Sequence, residues 1–208
     1  MATGTVHSNG IELFYETRGP EDGEPLVFIM GLSAQLVFWP EGLLDALANR
    51  GYRVIAFDNR DAGKSTRIRK PFKYGPVQAM LRHLVGLKVH APYTLNDLVD
   101  DTMGLLDALG IAKAHLVGAS MGGMIVQLAA ATRPERVLSA TSIMSSTNSP
   151  LLPPPRPSAL KTLVAPRTEI ETVDQYVAFG LDMMAKLGGT LDQGRDELEN
   201  MFRRSWER

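Results

Sequence analysis

The chain has 208 residues and contains no cysteine. This absence excludes disulfide bonds, thiolate metal sites and catalysis by a thiol. The sequence also lacks an apolar run of about 18 residues, the length that a helix needs to span a bilayer. Its first residues carry neither the basic nor the apolar region of a signal peptide. We therefore expect a cytoplasmic protein with no membrane partner.

An excess of charge of either sign is absent as well. Lysine and arginine together number 22, against 23 aspartates and glutamates, so the formal net charge is −1. Because nucleic acids are bound through clustered positive charge, this balance predicts no nucleic-acid partner. The hydrophobic content of 44% is ordinary for a globular protein with a large core.

Apolar runs alternate with helical patterns through most of the chain. Strands are predicted at residues 25–30, 53–58, 114–117 and 136–144, and helices at residues 40–50, 94–109 and 124–131. Asn9-Gly10 predicts an antiparallel hairpin at a sheet edge. This alternation predicts the α/β class, with a mostly parallel sheet and flanking helices.

The composition changes after Ser149. Residues 150–157 include five prolines, which exclude a helix or an interior strand and predict an extended connector. Helices are predicted beyond it, at residues 158–163, 173–187 and 192–206. We therefore expect two parts, residues 1–149 and residues 150–208.

A G-x-S-x-G pattern, Gly118-Ala119-Ser120-Met121-Gly122, lies between a predicted strand and a predicted helix. A serine in that place sits on a tight, strained turn. Gly118 and Gly122 fit there because neither carries a Cβ that would collide with the neighbouring chain. The pattern predicts that the Ser120 hydroxyl is held out above the sheet, with the Met121 N–H directed toward whatever bonds to it.

Three segments together resemble the α/β-hydrolase superfamily, and most closely its bacterial esterase and methylesterase branch. They are Met30-Gly31-Leu32, the loop from Asp58 to Ser65, and Gly118 to Gly123. The resemblance implies an α/β-hydrolase fold for residues 5 to about 150 and the start of a helical cap for the rest. It is specific for the fold and leaves the substrate open.

The resemblance also implies a mechanism. Ser120 would attack an acyl carbonyl and form an acyl-enzyme, without metal or organic cofactor. The backbone N–H groups of Leu32 and Met121 would form the oxyanion hole. Many relatives have His-Gly where this chain has Met30-Gly31. Because the oxyanion donor in this loop is a main-chain N–H, we expect this difference to leave the oxyanion hole intact.

The loop from Asp58 to Ser65 resembles the family's D-x-R-G-x-G-x-S pattern, with Asp61 in place of the first glycine. We expect Asp58 and Arg60 to pair with each other or with nearby backbone and so to shape the loop.

The general base is the missing part of the pattern. The fold takes its residues in the order serine, acid, histidine, yet no histidine follows Ser120. His115 is expected to pack in the core, and His7 is expected in the edge hairpin, far from the carboxyl ends of the parallel strands. His83 and His90, in the long connector before residue 94, stay open as candidates for the general base.

The acid is missing too, because no carboxylate follows the strand at 136–144 until Glu169. We therefore expect a fold that is incomplete at its C-terminus, with the acid and base in a C-terminal remainder. That strand would have an unpaired edge, so the chain is expected to bind its remainder or a second copy.

The sequence favours an ester hydrolase acting on a small-molecule ester. Two alternatives stay open: a non-catalytic fragment or binding protein that keeps the fold, and a cofactor-free perhydrolase or haloperoxidase. A haloalkane dehalogenase is disfavoured because that chemistry needs a carboxylate where Ser120 stands.

Overall fold

A computed structural model describes residues 1–68, 73–75, 78–79, 81–82, 86–147, 149, 152, 156–163, 170–187 and 194–208. Most of the predicted proline-rich connector and the first residues of the predicted last helix lie outside this described part. The chain divides into two compact units, Met1–Thr147 and Asn148–Arg208.

The first unit is built on a sheet whose described strands are β1 Ala2–Ser8, β2 Ile11–Arg18, β3 Glu24–Ile29, β4 Tyr52–Phe57, β5 Ala114–Ala119 and β6 Val137–Ile143. Their order across the sheet is β1-β2-β4-β3-β5-β6. β2 runs antiparallel to both β1 and β4, whereas β4, β3, β5 and β6 are mutually parallel. The predicted hairpin at Asn9-Gly10 and the mostly parallel sheet are both confirmed.

Helices cover both faces of this sheet. They are α1 Glu41–Ala48, α2 Leu95–Ala108 and α3 Met121–Thr132, with short 3-10 turns at Leu36–Phe38 and Pro134–Arg136. Val27 and Ile29 of β3 pack with α2 and α3, while Leu26 and Phe28 pack on the opposite face with α1 and Trp39. Since both faces of β3 are covered, its sequence is apolar without interruption.

The strand β6 is the outermost strand on its side of the described sheet. It pairs with β5 along its inner edge, yet its residues 138–142 are all exposed. Leu138, for example, retains 44% of its accessible surface. This side of the described sheet therefore ends in an uncovered strand.

The second unit contains three described helices: α4 Pro157–Leu163, α5 Val173–Leu187 and α6 Arg195–Trp206. The Tyr176 ring joins α5 to α6, with its centroid 5.8 Å from that of Phe202 and 5.5 Å from that of Trp206. Gly180 leaves the space that the Phe202 ring occupies. Within the described residues, every helix is too short or too polar to cross a membrane.

Candidate active site

Ser120 lies immediately after β5 with φ 55° and ψ −118°, a conformation that side-chain-bearing residues rarely adopt. Its N–H donates to the Ile143 carbonyl of β6 (2.9 Å). Its own carbonyl accepts from the Gly123 N–H (2.9 Å) and from the Ser145 hydroxyl (2.7 Å). These bonds hold a strained turn from several sides, while the residue stays exposed.

Two glycines allow this turn to form. A Cβ on Gly118 would overlap the carbonyl group of Gly122, and a Cβ on Gly122 would overlap the carbonyl oxygen of Ile29. Both obstacles are backbone atoms, which cannot rotate away as a side chain can. The start of α3 therefore approaches β5 and the end of β3 at a distance that only glycine permits.

The loop after β3 lies beside the serine. A Cβ built on Gly31 would be 3.1 Å from the Ser120 Cβ and 3.5 Å from its Oγ. The loop turns back through an Ala34 N–H to Gly31 carbonyl bond (3.2 Å), and Ser33 has φ 57°. Leu32 is 66% exposed. The structure thus brings Ser120 next to the loop that carries Leu32.

Met121 is the first residue of α3 and directly follows Ser120. The N–H of a first helical residue has no acceptor within its own helix. The partial positive charge at this helix end also favours an anion nearby. Ser120 therefore lies beside the loop that carries Leu32 and at the N-terminus of the helix that Met121 begins.

The histidines in the described residues are His7, His90 and His115. His7 is paired with Glu12 in the β1–β2 hairpin, and His90 is exposed in the connector. His115 was expected in the core, which is wrong: its side chain is 24% exposed and has polar partners. Its Nδ1 is 2.7 Å from the Ser139 hydroxyl and its Nε2 is 3.2 Å from the carboxylate of Glu24.

The His115 side chain finds these polar partners on both neighbouring strands, Ser139 on β6 and Glu24 on β3. None of the described histidines forms a hydrogen bond with the Ser120 Oγ. His83 lies outside the described residues. Among the residues that the structure places, no cluster of three or more histidines and carboxylates that could hold a metal ion is found.

The loop after β4 differs in part from expectation. The Asp58 carboxylate does accept from backbone, from the N–H groups of Leu36 (2.7 Å) and Lys64 (3.0 Å). Arg60 pairs instead with Asp101 of α2, through two N···O contacts of 2.6 Å. The side chains of this pair are only 7% and 1% exposed. An acid buried in α2 requires a cation, and this requirement determines the direction of Arg60.

The electrostatics of this pair extend to Tyr93. Burial lowers the pKa of Arg60, but the hydrogen bond and the charge of Asp101 outweigh it, so that the net shift is upward. The guanidinium lies 5.1 Å from the centroid of the Tyr93 ring. Burial, followed by a hydrogen bond with Asp61, raises the pKa of the Tyr93 hydroxyl. The network therefore holds Arg60 charged and Tyr93 neutral.

The sequence did not reveal the roles of Asn59, Asp101 or Ser145. A signal existed for Asp101, since it lies among Leu98, Thr102 and Leu105 on the buried face of α2. A carboxylate in such a position needs a partner elsewhere in the chain.

A mostly parallel sheet with a glycine-framed serine turn at the carboxyl end of a central strand defines the α/β-hydrolase class. Residues 24–175 match the family model described as the alpha/beta hydrolase fold. This chain belongs to that family.

Relatives match about two thirds of the chain. Rhodomycin D methylesterase DauP from Streptomyces sp. (strain C5) is 31% identical over 144 residues, which cover 69% of this chain and 42% of DauP. Epoxide hydrolase A from Mycobacterium thermoresistibile is 27% identical in a match with a TM-score of 0.53, over 65% of this chain and 36% of that one.

A third comparison extends over both units of the chain. The enol-lactonase from Burkholderia xenovorans LB400 matches 97% of this chain and 68% of its own, with a TM-score of 0.60 and 22% identity, and shows the fold alone. The curated relatives are much longer than their matched part, since this chain spans about two fifths of their length.

Proposed function

We propose that this chain forms the N-terminal part of a serine hydrolase that cleaves carboxylic esters through an acyl-enzyme on Ser120. The observation that carries the proposal is the exposed Ser120 in its strained turn, with the Gly31 loop directly beside it. DauP is named as a methylesterase, which supports an ester as the substrate class.

In the proposed reaction, the Ser120 Oγ forms a bond to the acyl carbon while its proton passes to a general base. The alcohol then leaves with a proton, and water releases the acid. The N–H groups of Leu32 and Met121 stabilise the oxyanion, a contribution of roughly 3–4 kcal/mol in comparable sites. The substrate is a small-molecule ester, and the reaction as proposed uses no cofactor.

The general base and its acid come, in this proposal, from polypeptide outside these 208 residues. The uncovered strand β6 lies where further strands would pair, and the curated relatives are more than twice the matched length. We therefore propose a C-terminal remainder, or a second copy of the chain, as the partner. Cytoplasmic location is part of the same proposal.

The test is the reaction of the chain with a fluorophosphonate, read by intact-mass spectrometry. It is done on the chain alone and on the chain co-produced with the polypeptide encoded directly downstream. An adduct that forms when that polypeptide is present, and disappears in Ser120→Ala, supports the proposal.

Ser139→Ala is the matched control, because Ser139 is hydrogen-bonded to a histidine but lies on an open strand. An adduct that persists in Ser120→Ala and disappears in Ser139→Ala would contradict the proposal. So would the absence of an adduct in both samples. Peroxide-dependent halogenation without ester turnover would favour the haloperoxidase alternative.

A further inference from the structure

Two adjacent residues at the end of β4 hold the loop that passes beside Ser120. The amide nitrogen of Asn59 donates to the Met30 carbonyl at 2.9 Å. The carboxylate of Asp58 accepts from the Leu36 N–H at 2.7 Å. Both side chains are buried. One bond therefore lies just before the loop of residues 31–35 and the other just after it.

The middle of this loop is more exposed than its first residue. Leu32 is 66% exposed, and Ser33 adopts a positive φ of 57°. Gly31, in contrast, is buried and packs against Ser120. Burial does not orient Leu32, so the direction of its N–H depends on the turn closed by the Ala34 N–H to Gly31 carbonyl bond and on how the two ends of the loop are fixed.

Asp58 is itself held in place. Its second carboxylate oxygen accepts from the Lys64 N–H at 3.0 Å, and its carbonyl accepts from the Ser65 hydroxyl at 2.6 Å. A Cβ on Gly63 would overlap this carboxylate. The loop of residues 58–65 thus holds the Asp58 carboxylate in place, and this carboxylate in turn holds the loop after β3.

We propose that Asp58 and Asn59 are positioning residues that set the direction of the Leu32 N–H toward Ser120. This inference rests on the proposed function in so far as that N–H is an oxyanion donor. Oxyanion stabilisation requires a donor aimed in advance at the developing charge, and a displacement of about 1 Å can reduce the rate about 10²-fold. Neither side chain touches the reacting atoms.

Asn59→Leu is the sharpest variant. The Asn59 Oδ1 is buried without a hydrogen-bond partner, so the replacement removes a single bond and one unsatisfied atom at similar volume. We expect hydrogen–deuterium exchange of residues 31–36 to rise about tenfold while exchange in β3 and β5 stays unchanged. Asn59→Asp is the second variant, since it places an oxygen against the Met30 carbonyl and should loosen the same loop.

Asn49→Asp is the matched control, at an exposed position after α1, and should leave the loop unchanged. In the completed enzyme, Asn59→Leu should lower kcat about 10²-fold with little change in KM. Unchanged exchange in residues 31–36, or a uniform rise across the sheet, would overturn the inference. The exchange experiment needs no catalysis. A selective rise in a chain that never reacts with fluorophosphonate would therefore support the positioning role and refute only the proposed function.

Discussion

Replacement of Asp101 by asparagine should destabilise the chain far more than the same change at Asp107. Each aspartate contacts an arginine, Arg60 or Arg136, at 2.6 Å. Asp101 accepts two such bonds from Arg60, whereas Asp107 accepts one from Arg136. They differ in burial: the aspartate is 1% exposed in the first pair and 66% exposed in the second. The comparison therefore sets a buried pair with two hydrogen bonds against an exposed pair with one.

The expected magnitude follows from that difference. Asp101→Asn keeps the volume but leaves the Arg60 charge unbalanced, at a side chain that is 7% exposed. Removing one partner of a buried ion pair typically destabilises the folded state by about 3–5 kcal/mol. Exposed pairs contribute up to about 1 kcal/mol, so Asp107→Asn should change little. A loss of the larger size is a large share of the roughly 5–15 kcal/mol that stabilises a typical domain.

Equilibrium unfolding in urea near neutral pH, followed by circular dichroism, measures both effects. Equal and small losses in the two variants would refute the reasoning, because burial would then have no effect on the pair. A changed dependence of the unfolding free energy on urea concentration would instead show that the compactness of the folded or the unfolded state had changed.

Three further predictions concern backbone contacts and pH. Gly122→Ala should unfold or strongly destabilise the chain because the added Cβ would overlap the Ile29 carbonyl. Gly42→Ala in α1 is the control: its Cβ would meet no atom, so it should stabilise the chain by about 0.5 kcal/mol. Thermal melts measure both. Gly180→Ala should destabilise the second unit by displacing an aromatic ring of α6, and unchanged protease resistance of that unit would contradict this. The raised pKa of Tyr93 keeps its hydroxyl protonated in the folded state at pH values at which the same hydroxyl ionises in the unfolded chain. The free energy of unfolding should therefore fall as the pH rises through about 10. Tyr93→Phe should flatten that dependence.

The sheet and the serine turn could be predicted because their signals are local. A continuous apolar run identifies a strand covered on both faces, as in β3 and β4, whatever lies on those faces. The signal for the serine turn is similarly local, since the backbone requires glycine at Gly118 and Gly122, both within two residues of Ser120. The hairpin of β1 and β2 followed from a single turn signal at Asn9-Gly10.

The partners of the buried polar groups could not be predicted in the same way. Arg60 and Asp101 are 41 residues apart, and Asn59 reaches the Met30 carbonyl across 29 positions. Such pairs are determined by how strands and helices pack, and no periodicity in the sequence encodes them. His115 shows the same limit, because its polar partners Glu24 and Ser139 come from two other strands.

Asp61 explains how the chain departs from its family pattern and still keeps the loop. It has φ 66°, in the left-handed region where the pattern has glycine, and aspartate is among the side chains that tolerate this conformation. Its carboxylate accepts from the Ile68 N–H and interacts with Tyr93, two contacts that glycine could not make. The backbone requirement of the motif is therefore met while the added side chain ties the loop to the Arg60 network. The geometry at Asp58 and Asn59 is thus compatible with the loss of that glycine.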